Sequence, residues 1–172
     1  MSRAVLISIR PEWCEKIASG EKTIEVRKTR PKLETPFKCY IYCTSGKTIR
    51  MSPRVYCKNI DGSIVYKQEI MNGKVIGGFV CDRIDTILPE NEPYGIYDID
   101  DDYVFQTCLE YGALWDYGNG QTLYGWHISN LKIYDEPKEL GEFTGLRKTK
   151  FGMEPVAITR PFQSWGYVEE LP

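Results

Sequence analysis

The sequence predicts an α+β fold, with strands over most of its length and a few short helices beside them. Two patterns support this class. The run from Ala4 to Ile9 is almost wholly apolar, which is typical of a buried strand, and the run from Lys74 to Ile87 has the length and apolar content of a second, longer strand. Between them, apolar residues after Pro11 recur at helical spacing. We expect a single domain over residues 1–172.

Composition narrows the class of protein. A chain of 172 residues with 42% hydrophobic content is long enough for one substantial core. The 22 basic and 24 acidic side chains give a formal charge of −2, so any contact with nucleic acid must be confined to a local patch. No run approaches the roughly 18 apolar residues of a membrane span, and the first ten residues lack the long apolar region of a signal peptide. We therefore expect a cytoplasmic protein that makes no membrane contact.

The six cysteines are spread through predicted helices and strands. Cys39 and Cys43 lie on the same face of one predicted strand, and Cys57 approaches them if a hairpin follows, which leaves a zinc site open as an alternative. The repeated close cysteine pairs of structural zinc domains are absent from the sequence, however, and cysteine is itself a commonly buried residue. We expect reduced thiols and no metal or other cofactor.

The first helix and the strand after it have clear boundaries. Pro11 suits the first helical position, and Gly20 suits a left-handed cap at the end. From Thr23 the period changes to two, so that Ile24 and Val26 face one way and a polar set faces the other. That polar set is Thr23, Glu25 and Arg27.

Positive charge is concentrated in and after this strand. Five basic residues and one acid, Glu25, lie between residues 22 and 32; the basic residues are Lys22, Arg27, Lys28, Arg30 and Lys32. Such a cluster beside a helix–strand junction suits a phosphate-bearing ligand, with Arg27 making a forked contact. The alternative is a solvated edge strand whose cations prevent aggregation.

The residues from Ser8 to Trp13 and from Ser19 to Lys28 together resemble the signature of the ASCH domain family, a part of the PUA-like superfamily. Its most specific portion is the Gly-Glu-Lys-Thr-x-Glu-x-Arg pattern that ends at Arg27. The resemblance implies a small β-barrel flanked by helices. It also implies a ligand cleft between the first helix and the barrel, and binding of RNA or a nucleotide-like small molecule.

The same resemblance implies an alternative function as a hydrolase. One branch of the family resembles an amidohydrolase acting on acylated nucleosides through a lysine, a threonine and a glutamate, and other members resemble ribonucleases that cut single-stranded RNA. Lys22 matches the lysine, but Glu25 stands where the threonine is expected. Thr23 is an awkward substitute, because it lies two residues before the position that the threonine would have. An enzyme would therefore use Lys22 and Glu25.

The middle of the chain continues the strand pattern. Phe37–Cys43 alternates as a barrel wall would, and residues 45–73 are expected to form a hairpin insertion that is either a partner-contacting arm or a solvated loop. Gly77 and Gly78 suit a barrel bend in the long strand or a close approach of the backbone to a ligand. A helix is expected from about Asp101 to Tyr111, capped by acidic residues.

The last third of the chain contributes further candidate residues. A loop is expected over residues 115–121, a strand over 124–133 that includes Trp126 and the single histidine, His127, and a helical turn over 137–143. His127 is interpreted as either hydrogen-bonded structure or a general base. In the segment 158–168, Arg160 can bind phosphate and Trp165 can stack on a base, or the aromatics can close the barrel. The complete set of predicted ligand contacts is Lys22, Thr23, Glu25, Arg27, Lys28, Trp126, Arg160 and Trp165.

Overall fold

A computed structural model of the protein describes residues 2–45, 55–58, 64–67, 72–90 and 95–172. The described residues confirm the α+β class, with far more strand than helix. The helices are α1 Pro11–Ala18, α2 Asp101–Thr107, α3 Tyr111–Gly118 and a 3-10 turn at Leu140–Glu142. The strands are β1 Arg3–Ile9, β2 Ile24–Arg27, β3 Phe37–Cys43, β4 Val55–Lys58, β5 Ile64–Lys67, β6 Lys74–Ile87, β7 Pro89–Glu90, β8 Ile96–Tyr97, β9 Leu123–Lys138, β10 Thr144–Thr149, β11 Gly152–Ala157 and β12 Trp165–Glu169.

Eight of these strands form one sheet in the order β11-β10-β12-β1-β3-β6-β9-β2. The central pair β1 and β3 is parallel, and the other pairs are antiparallel. This order leaves β11 and β2 as its two ends, so closure into a barrel by strand pairing is not confirmed. Strand β2 contacts β1 through a side chain and not through strand pairing. Arg27 Nη2 donates a hydrogen bond to the backbone oxygen of Ser8 over 2.7 Å.

Strand β1 is buried on both faces, as its almost wholly apolar run predicts. Val5, Ile7 and Ile9 enter one core cluster, which also holds Cys14 and Ile17 of α1. The alternate residues Ala4 and Leu6 enter a second cluster, together with Tyr40, Tyr42, Val75, Phe143 and Val168. A strand whose two faces both pack against apolar side chains cannot alternate between apolar and polar residues.

Helix α1 matches the expectation from the sequence. Pro11 occupies its first turn and is followed there by Glu12, whose charge suits the positive end of the helix dipole. The helix ends at Ala18, two residues before Gly20, which has a φ of +83°. A residue with a side chain would be strained at that φ. Glycine is not, so it allows the chain to turn sharply from α1 into β2.

The predicted bend in β6 is also present. Pairing with β9 shifts register between Val75 and Gly77 and again between Gly78 and Val80. A Cβ atom on Gly78 would stand 2.7 Å from the backbone oxygen of Cys39, which is too close for any side chain. The two glycines therefore allow β3 and β9 to approach β6 from both sides.

The helix expected from about Asp101 to Tyr111 begins at Asp101 as predicted, but it ends earlier, at Thr107. The Asp100 side chain caps α2 by accepting from the Tyr103 amide over 2.8 Å, but Cys108 then adopts a left-handed φ of 56° and ends the helix. A second helix, α3, begins at Tyr111 and occupies part of the segment expected to be a loop. Two short helices thus replace one, and they place Leu109, between them, in the wall of a cavity beside α1.

The insertion and the C-terminal region add two hairpins. Strands β4 and β5 pair with each other as a separate antiparallel sheet within the expected insertion. The turn between them and the side chain of Cys57 lie outside the described residues, so its approach to Cys39 and Cys43 stays a prediction. The β10–β11 hairpin has no counterpart among the expected elements, whereas the 3-10 turn at Leu140–Glu142 agrees with the helical turn expected over 137–143.

None of the described helices is both long enough and apolar enough to cross a membrane. Among the described residues there is also no cluster of three or more histidine, cysteine, aspartate or glutamate side chains suited to a metal ion.

Candidate ligand cavity

Lys22, Glu25 and Arg27 converge on one cavity of about 630 Å³, here called the basic cavity. The turn after α1 supplies Lys22, and alternate positions of β2 supply Glu25 and Arg27. Helix α1 and the segment around α3 contribute further walls. The lining residues are Ser8, Ile9, Arg10, Trp13, Lys22, Glu25, Val26, Arg27, Lys28, Thr29, Thr44, Leu109, Ala113, Tyr117, Gln163 and Ser164.

The Lys22 ammonium is held in a fixed position. Its side chain is only 2% exposed, and Nζ donates to the backbone oxygen of Thr107 over 2.5 Å. Nζ also lies 3.4 Å from Glu25 Oε2 and 5.3 Å from the centre of the Trp13 ring. A carbonyl, a carboxylate and an aromatic face therefore replace the water that the buried cation has lost.

Glu25 joins the two buried cations. Its Oε1 accepts from Arg27 Nε over 3.0 Å and lies 2.9 Å from Arg27 Nη2, while its Oε2 faces Lys22. The other donors of Arg27 reach the backbone oxygen of Ser8 and, over 3.3 Å, Ser164 Oγ. Arg27 thus connects β2 to the end of β1 and to the residue preceding β12.

Burial excludes the solvated-strand interpretation for these three residues. Lys22, Glu25 and Arg27 are 2%, 6% and 9% exposed, although β2 is the last strand of the sheet. Side chains that only prevent edge-to-edge aggregation extend into water. Burial of three charges instead requires mutual compensation, which the observed contacts provide.

The basic cavity carries a local excess of positive charge. Four of its lining residues are cations, namely Arg10, Lys22, Arg27 and Lys28, against the single carboxylate of Glu25. Arg10 and Lys28 are exposed, whereas Lys22 and Arg27 are buried. Because the whole chain has a formal charge of −2, this concentration is a property of the cavity and not of the surface in general.

Two aromatic residues that were not among the predicted contacts line the same cavity. Trp13 approaches from α1, where its helical spacing indicated only an apolar stripe, and Tyr117 approaches from α3. Lys28 Nζ lies 5.0 Å from the centre of the Tyr117 ring. Burial raises the pKa of Tyr117, so its phenol is neutral at physiological pH. The glycine- and aromatic-rich composition around residue 117 was the only sequence signal for this wall.

Four predicted contacts do not line the basic cavity: Thr23, Trp126, Arg160 and Trp165. Trp126 is 0% exposed and packs edge-on against Phe37, with ring centres 6.0 Å apart, so its prediction as a stacking residue is wrong. Strand alternation places Trp126 on the core side of β9. Thr23 is turned away from the cavity: its Oγ1 lies 3.3 Å from Gln106 Oε1, as a donor to that amide oxygen. Thr23 is therefore poorly placed as a nucleophile beside Lys22.

Arg160 and Trp165 line a second concavity, of about 840 Å³, between the β10–β11 hairpin and the segment 158–167. We call it the hairpin groove. It is lined by Gly145, Leu146, Arg147, Lys148, Val156, Ala157, Ile158, Thr159, Arg160, Pro161, Phe162, Gln163, Trp165, Gly166 and Tyr167. Of the predicted contacts, Lys22, Glu25, Arg27 and Lys28 thus line the basic cavity, and Arg160 and Trp165 line the hairpin groove.

His127 lies in neither concavity. Its Nε2 is 2.5 Å from Asp85 Oδ2 and 3.0 Å from Arg83 Nη2, and Arg83 Nε also pairs with Asp85 Oδ1. These contacts join β6 to β9. The hydrogen-bonded structural interpretation of His127 therefore fits its surroundings better than a role as general base.

No protein family model matches the chain, and no curated protein matches it either. Among solved structures, an ASCH protein from Zymomonas mobilis is similar, with a TM-score of 0.52, 18% sequence identity, and coverage of 97% of this chain and 88% of that one. A single-substitution variant of the same protein gives a TM-score of 0.51, 16% identity, and coverage of 97% and 91%. Likeness at this level of identity concerns the fold.

Proposed function

We propose that this chain, which has the fold of the ASCH proteins as the resemblance of Ser8–Lys28 implied, binds RNA or a nucleotide-like small molecule in the basic cavity. One observation carries the proposal: four cations and one carboxylate converge on a single concavity in a chain of negative net charge. Its volume of about 630 Å³ is in the usual range for small-molecule sites.

Phosphate contacts belong to the cations at the rim. Arg27 already directs its donors to Glu25, Ser8 and Ser164, so it has little capacity left for a ligand. Arg10 and Lys28 are exposed and can approach a phosphate at small desolvation cost. In this proposal Arg27 and Lys22 contribute positive potential and hold Glu25 in place, rather than gripping the phosphate themselves.

Recognition of the base or sugar belongs to Glu25 and the aromatic walls. Because Oε1 receives both Arg27 contacts, the one contact of Oε2 with the described residues is the longer 3.4 Å contact with Lys22, and Oε2 retains acceptor capacity. A base amino group or a ribose hydroxyl is the matching donor. Trp13 and Tyr117, on the cavity wall, offer rings on which a base can stack.

Direct titration tests the proposal. Cytidine, cytidine monophosphate and a short single-stranded RNA would be titrated by calorimetry and by tryptophan fluorescence, with Trp13→Phe to identify the responding ring. We expect Lys28→Ala to weaken phosphate-bearing ligands of every sequence and to flatten their salt dependence by about 0.7 per lost phosphate contact. Lys32→Ala, an exposed neighbour outside the cavity, is the matched control. Binding that ignores salt, or no binding to any of the three ligands, rules the function out.

The second candidate function is hydrolysis, either of an acylated nucleoside or of single-stranded RNA. The observation in its favour is that the buried Lys22–Glu25 pair, at 3.4 Å, faces a cavity whose lining also includes Ser8 and Ser164. Lys22 and Glu25 would then act as acid–base partners. Incubation with acylated cytidine and with a labelled single strand, beside Lys22→Ala, tests this function. Turnover that persists in the variant would indicate a contaminant.

A further inference from the structure

We propose that the hairpin groove continues the basic cavity, and that the two together hold a single-stranded RNA rather than a lone nucleotide. This inference rests on the proposed function of the basic cavity and specifies its ligand further. It is carried by three features of the groove: its charge, its aromatic lining and its junction with the basic cavity.

The groove has the positive charge expected of a surface that binds a nucleic-acid phosphate backbone. Arg147, Lys148 and Arg160 line it and are exposed, and no acidic side chain of the described residues is part of its lining. The ion pairs observed among the described residues involve none of these three cations. Arg147 stands opposite Glu154 across the hairpin, so the charges of Lys148 and Arg160 are the ones left for a phosphate backbone to neutralise.

Aromatic side chains lie beside these cations. Phe162, Trp165 and Tyr167 line the groove and are half-buried, with the rings of Trp165 and Tyr167 5.4 Å apart at a steep angle. Sites for single strands combine cations that follow the backbone with rings on which bases stack. These rings also pack against the core, Trp165 and Tyr167 on one cluster and Phe162 on the other, so a base would stack on the parts that remain exposed.

The groove and the basic cavity meet at two points. Gln163 lines both of them. In addition, Trp165 of the groove donates its Nε1 to Thr29 Oγ1 over 2.9 Å, and Thr29 lines the basic cavity. A strand leaving the basic cavity therefore passes Gln163 and reaches the groove without crossing a separate surface.

The chemistry favours an unpaired RNA strand over a duplex or an acidic protein. Stacking on Trp165 or Tyr167 requires base faces that a duplex keeps inside its helix. An acidic peptide would satisfy the cations but leaves the aromatic rings and the acceptor Glu25 Oε2 without matching groups. That carboxylate suits a ribose 2′-hydroxyl, so RNA is expected to bind better than DNA of the same sequence.

The test compares two ligands and two sets of variants. Cytidine monophosphate and a single-stranded RNA of about eight nucleotides, within the usual range of such sites, would be titrated against each protein. The groove variant is Lys148→Ala combined with Arg160→Ala. The cavity variant is Lys28→Ala. Lys150→Ala is the matched control, because Lys150 is an exposed lysine of the same hairpin outside the groove lining.

We expect the groove variant to bind the mononucleotide as wild type does, and to lose affinity for the RNA with a salt slope smaller by about 1.4 for two phosphate contacts. The cavity variant should weaken both ligands, and Lys150→Ala neither. DNA and duplex RNA of the same sequence should bind more weakly than the single-stranded RNA.

Different failures have different meanings. If the RNA binds no tighter than the mononucleotide, or if the groove variant keeps its RNA affinity and salt slope, the inference is overturned while the proposed function stands. If neither ligand binds wild type, the proposed function fails and the inference fails with it. Preference for a duplex, or for an acidic peptide, overturns the single-strand assignment alone.

Discussion

Arg27 directs two of its nitrogens, Nε and Nη2, to a single oxygen of Glu25, at 3.0 and 2.9 Å. Glu25 therefore receives Arg27 on one oxygen and Lys22 on the other, and lies between two buried cations. A carboxylate in this position does more than pair with one partner, because without it two positive charges would be buried together. The stability of the fold should therefore be sensitive to substitution of any one of the three residues.

Glu25→Gln should destabilise the fold strongly. The amide keeps the shape of the side chain but removes the only negative charge between Lys22 and Arg27, and losing one partner of a buried pair costs about 3–5 kcal/mol. Urea unfolding at neutral pH measures the loss. Glu21→Gln, in the same turn but in an exposed pair with Lys16, is the control and should unfold close to wild type. Equal effects of the two substitutions would contradict the burial of Glu25.

Arg27→Lys should also destabilise the fold, although it preserves the positive charge. A lysine cannot reach Glu25, Ser8 and Ser164 together as the guanidinium does. We expect a loss of about 2 kcal/mol, typical of hydrogen bonds to charged groups, and faster amide exchange in β2. Arg30→Lys, at an exposed position just after β2, is the matched control. Unchanged exchange in β2 would show that Arg27 does not connect the strands.

Asp85 should make stability depend on acid pH. Burial disfavours its charged form, but the hydrogen bond and charge of His127, with smaller effects of Tyr103 and Arg83, outweigh burial and lower the Asp85 pKa below 3.8. A carboxylate whose pKa is lowered on folding contributes stability above its unfolded pKa and loses that contribution as pH falls through its folded pKa.

The measurement compares wild type with Asp85→Asn by urea unfolding across acid pH. The difference in unfolding free energy should shrink as pH falls below the ordinary carboxyl range. Repeating the comparison in a His127→Gln background should reduce the pH dependence. A difference that grows on acidification would have the wrong sign for this pair.

Cys81 should resist alkylation in the folded protein. Burial, reinforced by the nearby charge of Asp82, raises the pKa of its thiol to about 12, so very little reactive thiolate forms near neutral pH. Treatment with iodoacetamide at about pH 8, followed by peptide mapping, should label the partly exposed Cys108 well before Cys81. Labelling in urea is the control, where both cysteines should react. Equal native rates would contradict the burial of Cys81.

The sequence was most informative where local chemistry decides local structure. Pro11 and Gly20 bracket α1, and the apolar runs of β1 and β6 mark strands whose burial follows from composition alone. The β2 alternation also indicated that Glu25 and Arg27 share a face. Their meeting with Lys22 in one cavity agrees with the idea that the turn after α1 directs these charges together.

Long-range packing explains what the sequence left unresolved. Trp126 alternates correctly along β9, but only the pairing of β9 with β6 and the position of Phe37 show that its face is the core. The left-handed conformation of Cys108 divides one expected helix into two. Cysteine is not among the residues that favour this conformation, so the sequence does not predict the break. Tyr117 lies on the second of the two helices, where its ring meets Lys28 at the cavity.

The residues around Arg27 come from widely separated parts of the chain: Ser8 lies near its beginning, Ser164 near its end, and Thr107, which anchors Lys22, between them. A molecule bound among them would stabilise the folded state of the whole domain, because the domain could not unfold without releasing it. At a ligand concentration of about 100 times Kd, mass action adds roughly 2.7 kcal/mol to the unfolding free energy. Resistance to heating or to protease digestion therefore reports directly on occupancy, and ligand libraries can be screened by melting temperature before any chemistry is assigned.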